Sequence, residues 1–554
     1  MNPWLPWHNP MVVRGFRTRL RLPLLVSWGI VTAVASVFLY VVVAGNAIKA
    51  DGVTPQEAAR DAILPLLFMQ GLILMVLGTG SIAGGMARER TFRLLDYQRL
   101  TPMSPSAKIV GLLLGLPIRE YFMFAVSLPF VFYAAWRGGL SFGILLQFYL
   151  VFLSSALVYH LTGLAAGVIV DKPWQAGTLS QGLVVVLYLA LPQASKFGFT
   201  FFEYLTARPI FYGMVNQHLL PDGISGIVQG ALQDPRYSSV AFFGLTFTPL
   251  VFSLLVQGFV MVALYVMIHR KWRDESTLSF SKTFAIGFYA VVQIFLVGSV
   301  YPFLTNDEMF GQLVTSYLEE DPFKGPEQGF VFAILLITLV VSGCMAILTV
   351  FLCTPSWYQS VVGLRRIVRK GGRRLRWDDD AASGLSVAGG CIVIAGIGFL
   401  SVYQTAVSSG RVVAENPLFE VFLPLVLFAF VLLTVQQVIE QFSDNVFVMF
   451  LFGFWIVPVL GFIVVTTAFR QPITGVYVGL FFPFFGLYMA SALLMTDAHV
   501  TLTSDLMPEG LAAHASPVLA LSLVLYTASA GLLGRTPLSW SQPKKTLRVV
   551  TRRA

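Results

Sequence analysis

Residues 81–120 read SIAGGMARERTFRLLDYQRLTPMSPSAKIVGLLLGLPIRE. An apolar segment ends near Met86, and Arg88, Glu89, Arg90, Arg93, Asp96 and Arg99 follow within about three helical turns. Thr101-Pro102-Met103-Ser104-Pro105 then turns the chain, and from Ile109 it is apolar again. Two membrane helices can be joined by a few polar residues. A charged connection this long, with Phe92, Leu95 and Leu100 on one side of a helical projection, implies a structured element outside the apolar phase. Arg88 and Arg99 project near that side and Leu94 points away from it, so the stripe is less clean than that of a helix lying on lipid.

The flanking sequence sets the solvent. Of 554 residues, 56% are hydrophobic and only 12% charged, about half the charge of a soluble domain at ~25%. About thirteen stretches have the ~20 apolar residues a spanning helix needs. They lie at 22–44, 62–86, 109–136, 141–170, 176–194, 248–268, 284–303, 330–353, 384–404, 418–440, 446–468, 474–495 and 516–534. The expected fold is all-α, a polytopic helical membrane protein of about 12–13 spans. The net charge of +9 lies in basic clusters between spans, which serves topology and anionic lipid, not nucleic acid. Cys344, Cys353 and Cys391 all fall in apolar segments and are expected to be buried thiols. The first span is long and lacks a small-residue cleavage site, so no cleavable signal is expected.

Lys and Arg collect on the cytoplasmic side. Arg14, Arg17, Arg19 and Arg21 place the N-terminus inside. Alternation then puts 87–108, 269–283 and 354–383 inside, and 45–61, 195–247 and 304–329 outside. Acidic 304–329 and basic 354–383 agree with that assignment. Thirteen spans would leave the C-terminus outside, whereas Lys544, Lys545, Arg548, Arg552 and Arg553 ask for the inside. The side of the C-terminus stays open.

Residues 1–21 read as an amphipathic interfacial helix. Pro10 suits a first helical position, Val12, Val13, Phe16 and Leu20 share an arc, and Arg14, Arg17 and Arg21 lie off it. The stretch 109–136 would be about 42 Å long as one helix, against a core of about 30 Å. Pro117 is expected to break it into a short interfacial helix ending at Leu116 and a span starting at Ile118. Arg119 and Glu120 then sit near the inner boundary, either as a local ion pair holding the kink or as part of a pathway or gate. Aromatic residues of 195–247, from Phe197 to Tyr212, suit the outer interface.

No phosphate-cradling G-x-x-x-x-G-K-[ST] stretch, H-E-x-x-H pair or G-x-S-x-G elbow occurs. The chain is therefore not expected to be an enzyme, nor to hold a metal or cofactor itself. His160, Gln257, Gln436, Gln437 and Glu440 are the notable polar groups in apolar segments, and helix-packing hydrogen bonds account for most of them. Gly111-xxx-Gly115 and Gly163-xxx-Gly167 have the spacing that lets helices approach closely.

Segment 87–108 resembles the cytoplasmic coupling segment of ABC-2 type transporter permeases. That segment has a Glu-Arg-rich start, a Thr and Leu-Leu core and a Pro-Ser end. The matching residues are Glu89, Thr91, Leu94, Leu95, Pro102 and Ser104, among the charges Arg88, Arg90 and Arg93. Asn9-Pro10 before Val-Val-Arg and Pro-Ile-Arg-Glu-Tyr at 117–121 are similar to the same family, although Gly15 stands where relatives carry Glu. The resemblance implies a permease core over 22–275, spans one to six, with outer re-entrant helices in 195–247. It implies docking of 87–108 on a separate ABC ATPase that carries the ATP and Mg, a permease dimer, export, and a bacterial inner membrane. Residues 276–554 are expected to be an accessory membrane domain, with a fused second core as the alternative. Other functions kept open are a polytopic membrane enzyme acting on lipid-linked substrates and a proton-coupled secondary transporter.

Overall fold

The computed structural model describes residues 8–441 apart from 51–52, 171, 196–197, 216–238, 275–276, 308, 312–326, 370–376 and 413–420. The expected spans at 446–468, 474–495 and 516–534, the basic C-terminal residues and most of 304–329 lie outside the described residues. Among those described, seven helices are long and apolar enough to cross a membrane. β structure there is confined to one two-stranded hairpin. The chain is an all-α, multi-pass membrane protein with two compact units, Met1–Thr277 and Leu278–Ala554.

In the first unit α1 spans Pro10–Arg19 and α2 Leu22–Ala50. Asn9 caps α1 through its side chain, which accepts from the Met11 amide at 3.0 Å. Next, α3 (Pro55–Asp61), α4 (Ile63–Gly71), a π-helical turn (Leu72–Leu77) and α5 (Gly78–Thr91) follow without a break. The 37 residues from Pro55 to Thr91 make about 55 Å of helix, far longer than a bilayer core of about 30 Å. Its last turns therefore leave the apolar phase still helical and carry Arg88, Glu89 and Arg90 with them. Phe92 and Arg93 turn the chain, Arg93 with φ +54°, into α6 (Leu94–Leu100). The break at Pro117 occurs where the sequence predicts it, between α7 (Pro105–Gly115) and α8 (Ile118–Arg137).

α9 (Phe142–Ile169) and α10 (Pro173–Ala194) pack on α5. A Cβ at Gly163 or Gly167 would lie 2.7 Å from the Thr79 carbonyl or 2.6 Å from that of Ala83, so the glycine spacing sets how closely α9 approaches. Beyond α10 come a 3-10 turn (Thr200–Leu205), α11 (Arg208–Met214), the hairpin of β1 (Val240–Phe242) and β2 (Leu245–Phe247), and α12 (Pro249–Arg273). Phe199, Phe201, Phe202 and Tyr204 are buried and do not form the interfacial surface the sequence suggests. The same turn meets α12 at Gln257, whose amide donates to Ser155 Oγ at 2.8 Å and the Tyr204 carbonyl at 3.2 Å.

The second unit contains α13 (Lys282–Thr305), α14 (Glu327–Cys353), α15 (Trp357–Arg369), α16 (Leu385–Ser408) and α17 (Leu423–Gln441). Tyr289 and Gln293 both bond Ser342 Oγ, at 2.7 and 2.6 Å, fixing α13 against α14. Ser383 donates to Glu440 at 2.8 Å, and Gln436 also donates to that carboxylate. Arg365, Arg366 and Arg369 of α15 are exposed. Cys353 and Cys391 are buried as expected, but Cys344 is exposed.

Candidate functional site

The charged segment is built inward before it faces outward. Glu89 is only 6% exposed. Its carboxylate pairs with Arg14 of α1 and accepts a 2.5 Å hydrogen bond from the Gln98 amide of α6. One side chain of α5 thus joins three elements, and a buried carboxylate left without these donors would be costly.

Three of the segment's cations close helix ends. Arg90 donates to the Val168 and Ile169 carbonyls at 2.7 and 3.2 Å, at the C-terminal end of α9. Arg99 donates to the Trp272 carbonyl at 3.0 Å, at the end of α12. Lys108 is buried and donates to the Gln98 and Thr101 carbonyls at 2.5 and 3.2 Å, capping α6. Terminal helix carbonyls have no partner within their own helix and carry partial negative charge, so cations suit all three places. Burial holds the Lys108 ammonium below its ordinary pKa. Trp272, whose buried Nε1 has no partner among the described residues, lines a cleft of about 10 Å³, room for about one water.

The outward side is different. Arg88, Phe92, Arg93, Leu94, Tyr97, Leu100, Pro102 and Ser104 are exposed. The Arg88 guanidinium lies 5.7 Å from the Phe92 ring centre. Tyr97 is 71% and Leu100 84% exposed. Leu95 is buried among Met86, Ile109, Leu112 and Trp272. Ser104 caps α7, and Thr91 donates to the Ala87 carbonyl at 2.9 Å. Of the nine residues predicted for this segment, Glu89, Arg90 and Leu95 therefore have structural roles inside it. Arg88, Thr91, Arg93, Leu94, Pro102 and Ser104 reach its surface.

α1 is not a free interfacial helix. Met11, Val12 and Gly15 are its buried residues, while Phe16, placed on the apolar side by the sequence, is 52% exposed. Arg17 and Arg21 are exposed. The helix lies on α7 with Gly15 against Gly115, where a Cβ on Gly15 would meet the Gly115 carbonyl at 2.3 Å. Asn9 donates to the Ala107 carbonyl at 2.8 Å. Arg19 donates to Ser81 Oγ at 2.7 Å and to the Leu116 carbonyl, and burial lowers its pKa. Arg19, Gln98 and Lys108 are the bracing residues that sequence reasoning missed. Nothing local marks them, since each resembles any polar residue near an interface.

Arg119 and Glu120 form an ion pair at 2.5 Å, with Glu120 fully buried and the Arg119 side chain 39% exposed over Trp28. Glu120 Oε2 has no hydrogen-bond partner among the described residues. The two positions are unequal, so exchanging the charges would bury the larger cation and could not isolate the pair. Arg119→Ala alone strands the carboxylate and is expected to destabilise the protein by about 2–3 kcal/mol, because Arg119 already keeps some solvent. The double change Arg119→Ala with Glu120→Gln should be milder, as read from thermal unfolding in detergent. Equal losses would mean that the pair is not what holds the kink.

His160 has both ring nitrogens satisfied, by Tyr121 OH at 2.9 Å and the Leu74 carbonyl of the π turn at 2.9 Å. Gln70 donates to Ser127 and accepts from Tyr149, at 2.9 and 2.7 Å. These are packing bonds of the kind expected for His160 and Gln257.

Fold and site together define a multi-pass helical membrane protein with a braced, charged segment at one end of its first unit. No protein-family model, curated protein or solved structure matches the chain.

Proposed function

We propose that this chain is the permease subunit of an ABC-2 type exporter, driven by a separate ATPase that docks on residues 87–108. The observation that carries the reading is the bracing of α6. Contacts from α5, α7 and α12 hold a seven-residue helix whose outer side offers Tyr97 and Leu100 beside Arg88 and Arg93, and α1 and α9 in turn hold the end of α5. Such a helix can pass a push to several helices at once, because packed elements shift as units and do not deform continuously. Exposed apolar residues ringed by charge also suit a protein interface.

In this reading 22–275 is the transport core and 276–554 an accessory membrane domain. Residues 87–108 and the N-terminus face the cytoplasm of a bacterial cell, and two permeases form the pathway. ATP and Mg belong to the ATPase, and the chain itself carries no cofactor and catalyses no hydrolysis.

The test is co-expression with a P-loop ATPase encoded beside this chain, followed by co-purification. Leu100→Asp should weaken association by about tenfold or more, the equivalent of about 1.4 kcal/mol or more. Glu327→Lys, at the start of α14, should leave it unchanged. Equal effects from both changes, or no association at all, would remove the proposal.

A further inference from the structure

We infer that α15 binds anionic lipid headgroups: Arg365, Arg366 and Arg369 hold their phosphates at the bilayer surface where α14 ends. This binding requires no partner at residues 87–108. Three apolar helices of the second unit end at one level. The Phe280 amide, just before α13, donates to the Leu352 carbonyl of α14 at 3.1 Å. A Cβ on Gly384, just before α16, would lie 2.1 Å from Oγ1 of Thr354, just after α14. α15 begins three residues further on, at Trp357, hence within about 14 Å of Cys353. It does not stand off into water, since Ser360, Val361 and Gly363 are buried. A helix that leaves a span and folds back at once lies along the surface of the bilayer.

Its two sides differ in kind. At 100° per residue the sequence places Trp357, Val361, Leu364, Ile367 and Val368 within an arc of about 120°, and Arg365, Arg366 and Arg369 within about 100° on the other side. This is the pattern of a helix lying in the plane of an interface. The three arginines are exposed and make no ion pair or hydrogen bond among the described residues. The neighbouring sequence offers them no carboxylate either. Seven of the twelve residues from Arg365 to Arg376 are Lys or Arg, and no acidic residue occurs from Gln328 to Trp377.

Charge and position together name the occupant. A cluster of about four to eight Lys and Arg on an amphipathic helix beside a span attracts anionic headgroups. A guanidinium suits that role, because its planar fork can bind two phosphate oxygens at once. Exposed aromatic rings mark the same level. Tyr358, 70% exposed, projects on the arginine side of α15. Trp377, 53% exposed, lies two residues before Asp379, whose carbonyl accepts from Lys282 at the start of α13. Rings with a polar tip collect at the headgroup region. Phosphates of the bilayer stand at the height these arginines already occupy, so the complementary charge is at hand without a second protein.

The test is hydrogen exchange of the full native chain in lipid nanodiscs. Amides of residues 357–369 are expected to exchange about tenfold or more slowly in discs holding about one phosphatidylglycerol in three lipids than in phosphatidylcholine alone. The difference should vanish in about 1 M NaCl, where the screening length falls to about 3 Å. Changing Arg365→Gln, Arg366→Gln and Arg369→Gln together should abolish it, and the three Lys replacements should keep most of it. Lys370, Arg373, Arg374 and Arg376 stay in place in both variants to hold the orientation of the spans. Equal exchange of the native chain in the two lipids would overturn the inference, whether or not the variants assemble. So would slower exchange that survives the salt, which would make the contact apolar. Protection that appears only when an acidic protein partner is added would overturn it as well, by assigning the face to that protein.

Discussion

Glu89→Lys is expected to release the N-terminal helix and α6 together, with the membrane spans left in place. The new ammonium would face Arg14 in a site where Glu89 is 6% exposed, and Gln98 would lose its acceptor. Breaking a buried pair costs about 3–5 kcal/mol, and the Arg14 side chain is 42% exposed, so about 2–3 kcal/mol is the appropriate scale. Amides of residues 11–19 and 95–100 should then exchange about 30- to 100-fold faster, as each 1.4 kcal/mol is a factor of ten. Adding Arg14→Glu should restore part of the protection, because Gln98 can turn its amide to offer either a donor or an acceptor. If the single and double variants exchange alike, the junction does not depend on this pair. The same variant bears on docking. Glu89→Lys should weaken ATPase association only through a displaced α6, so exchange and association change together. Leu100→Asp should change association alone.

Gly15→Ala is expected to lift α1 off α7. An isolated helix gains stability from this change, since Ala is the better helix former by about 0.8–1.0 kcal/mol. Here the added Cβ would sit 2.3 Å from the Gly115 carbonyl and 2.9 Å from Gly115 Cα. These are backbone atoms that cannot rotate away. Overpacking costs about 1–3 kcal/mol, and a backbone clash belongs at the upper end. The sign decides between a docked helix and a free interfacial one. Protection of residues 11–19 should fall about tenfold or more for Gly15→Ala and stay unchanged for Gly45→Ala, whose Cβ meets nothing within 4 Å. Increased protection in the first variant would show that α1 lies free on lipid. The clash also gives a reason for Gly at a place where the resembled family carries Glu.

Much of the local architecture is legible before any contact is known. Pro117 splits one apolar stretch because a prolyl nitrogen cannot donate, and α7 and α8 part there. Helix α9 falls within a residue of the stretch read from apolarity alone. Apolarity does not say which residues are covered. Val34 of α2 is 62% exposed and Leu66 of α4 fully buried, yet both lie in equally apolar runs. Lipid and protein core are similar solvents for such side chains, so the hydrophobic pattern that marks a core in water loses its meaning in a membrane. Phe16 is a case of the same kind: it shares the apolar arc of α1 with Val12, yet Val12 is buried and Phe16 is 52% exposed.

Composition and local order suffice for the solvent, for the long apolar helices among the described residues, for the break at Pro117 and for the position of the charged segment between two apolar runs. Those properties belong to composition and local order, which a bilayer translates directly into helices of fixed length. The partner of each charge is set by contacts between distant helices. Glu89 finds Arg14 across 75 residues and Arg99 finds the end of α12 across 173, and no local periodicity records such distances. A carboxylate near a membrane surface is stable either in water or beside a buried cation. The choice between them is made when helices distant in sequence close around it.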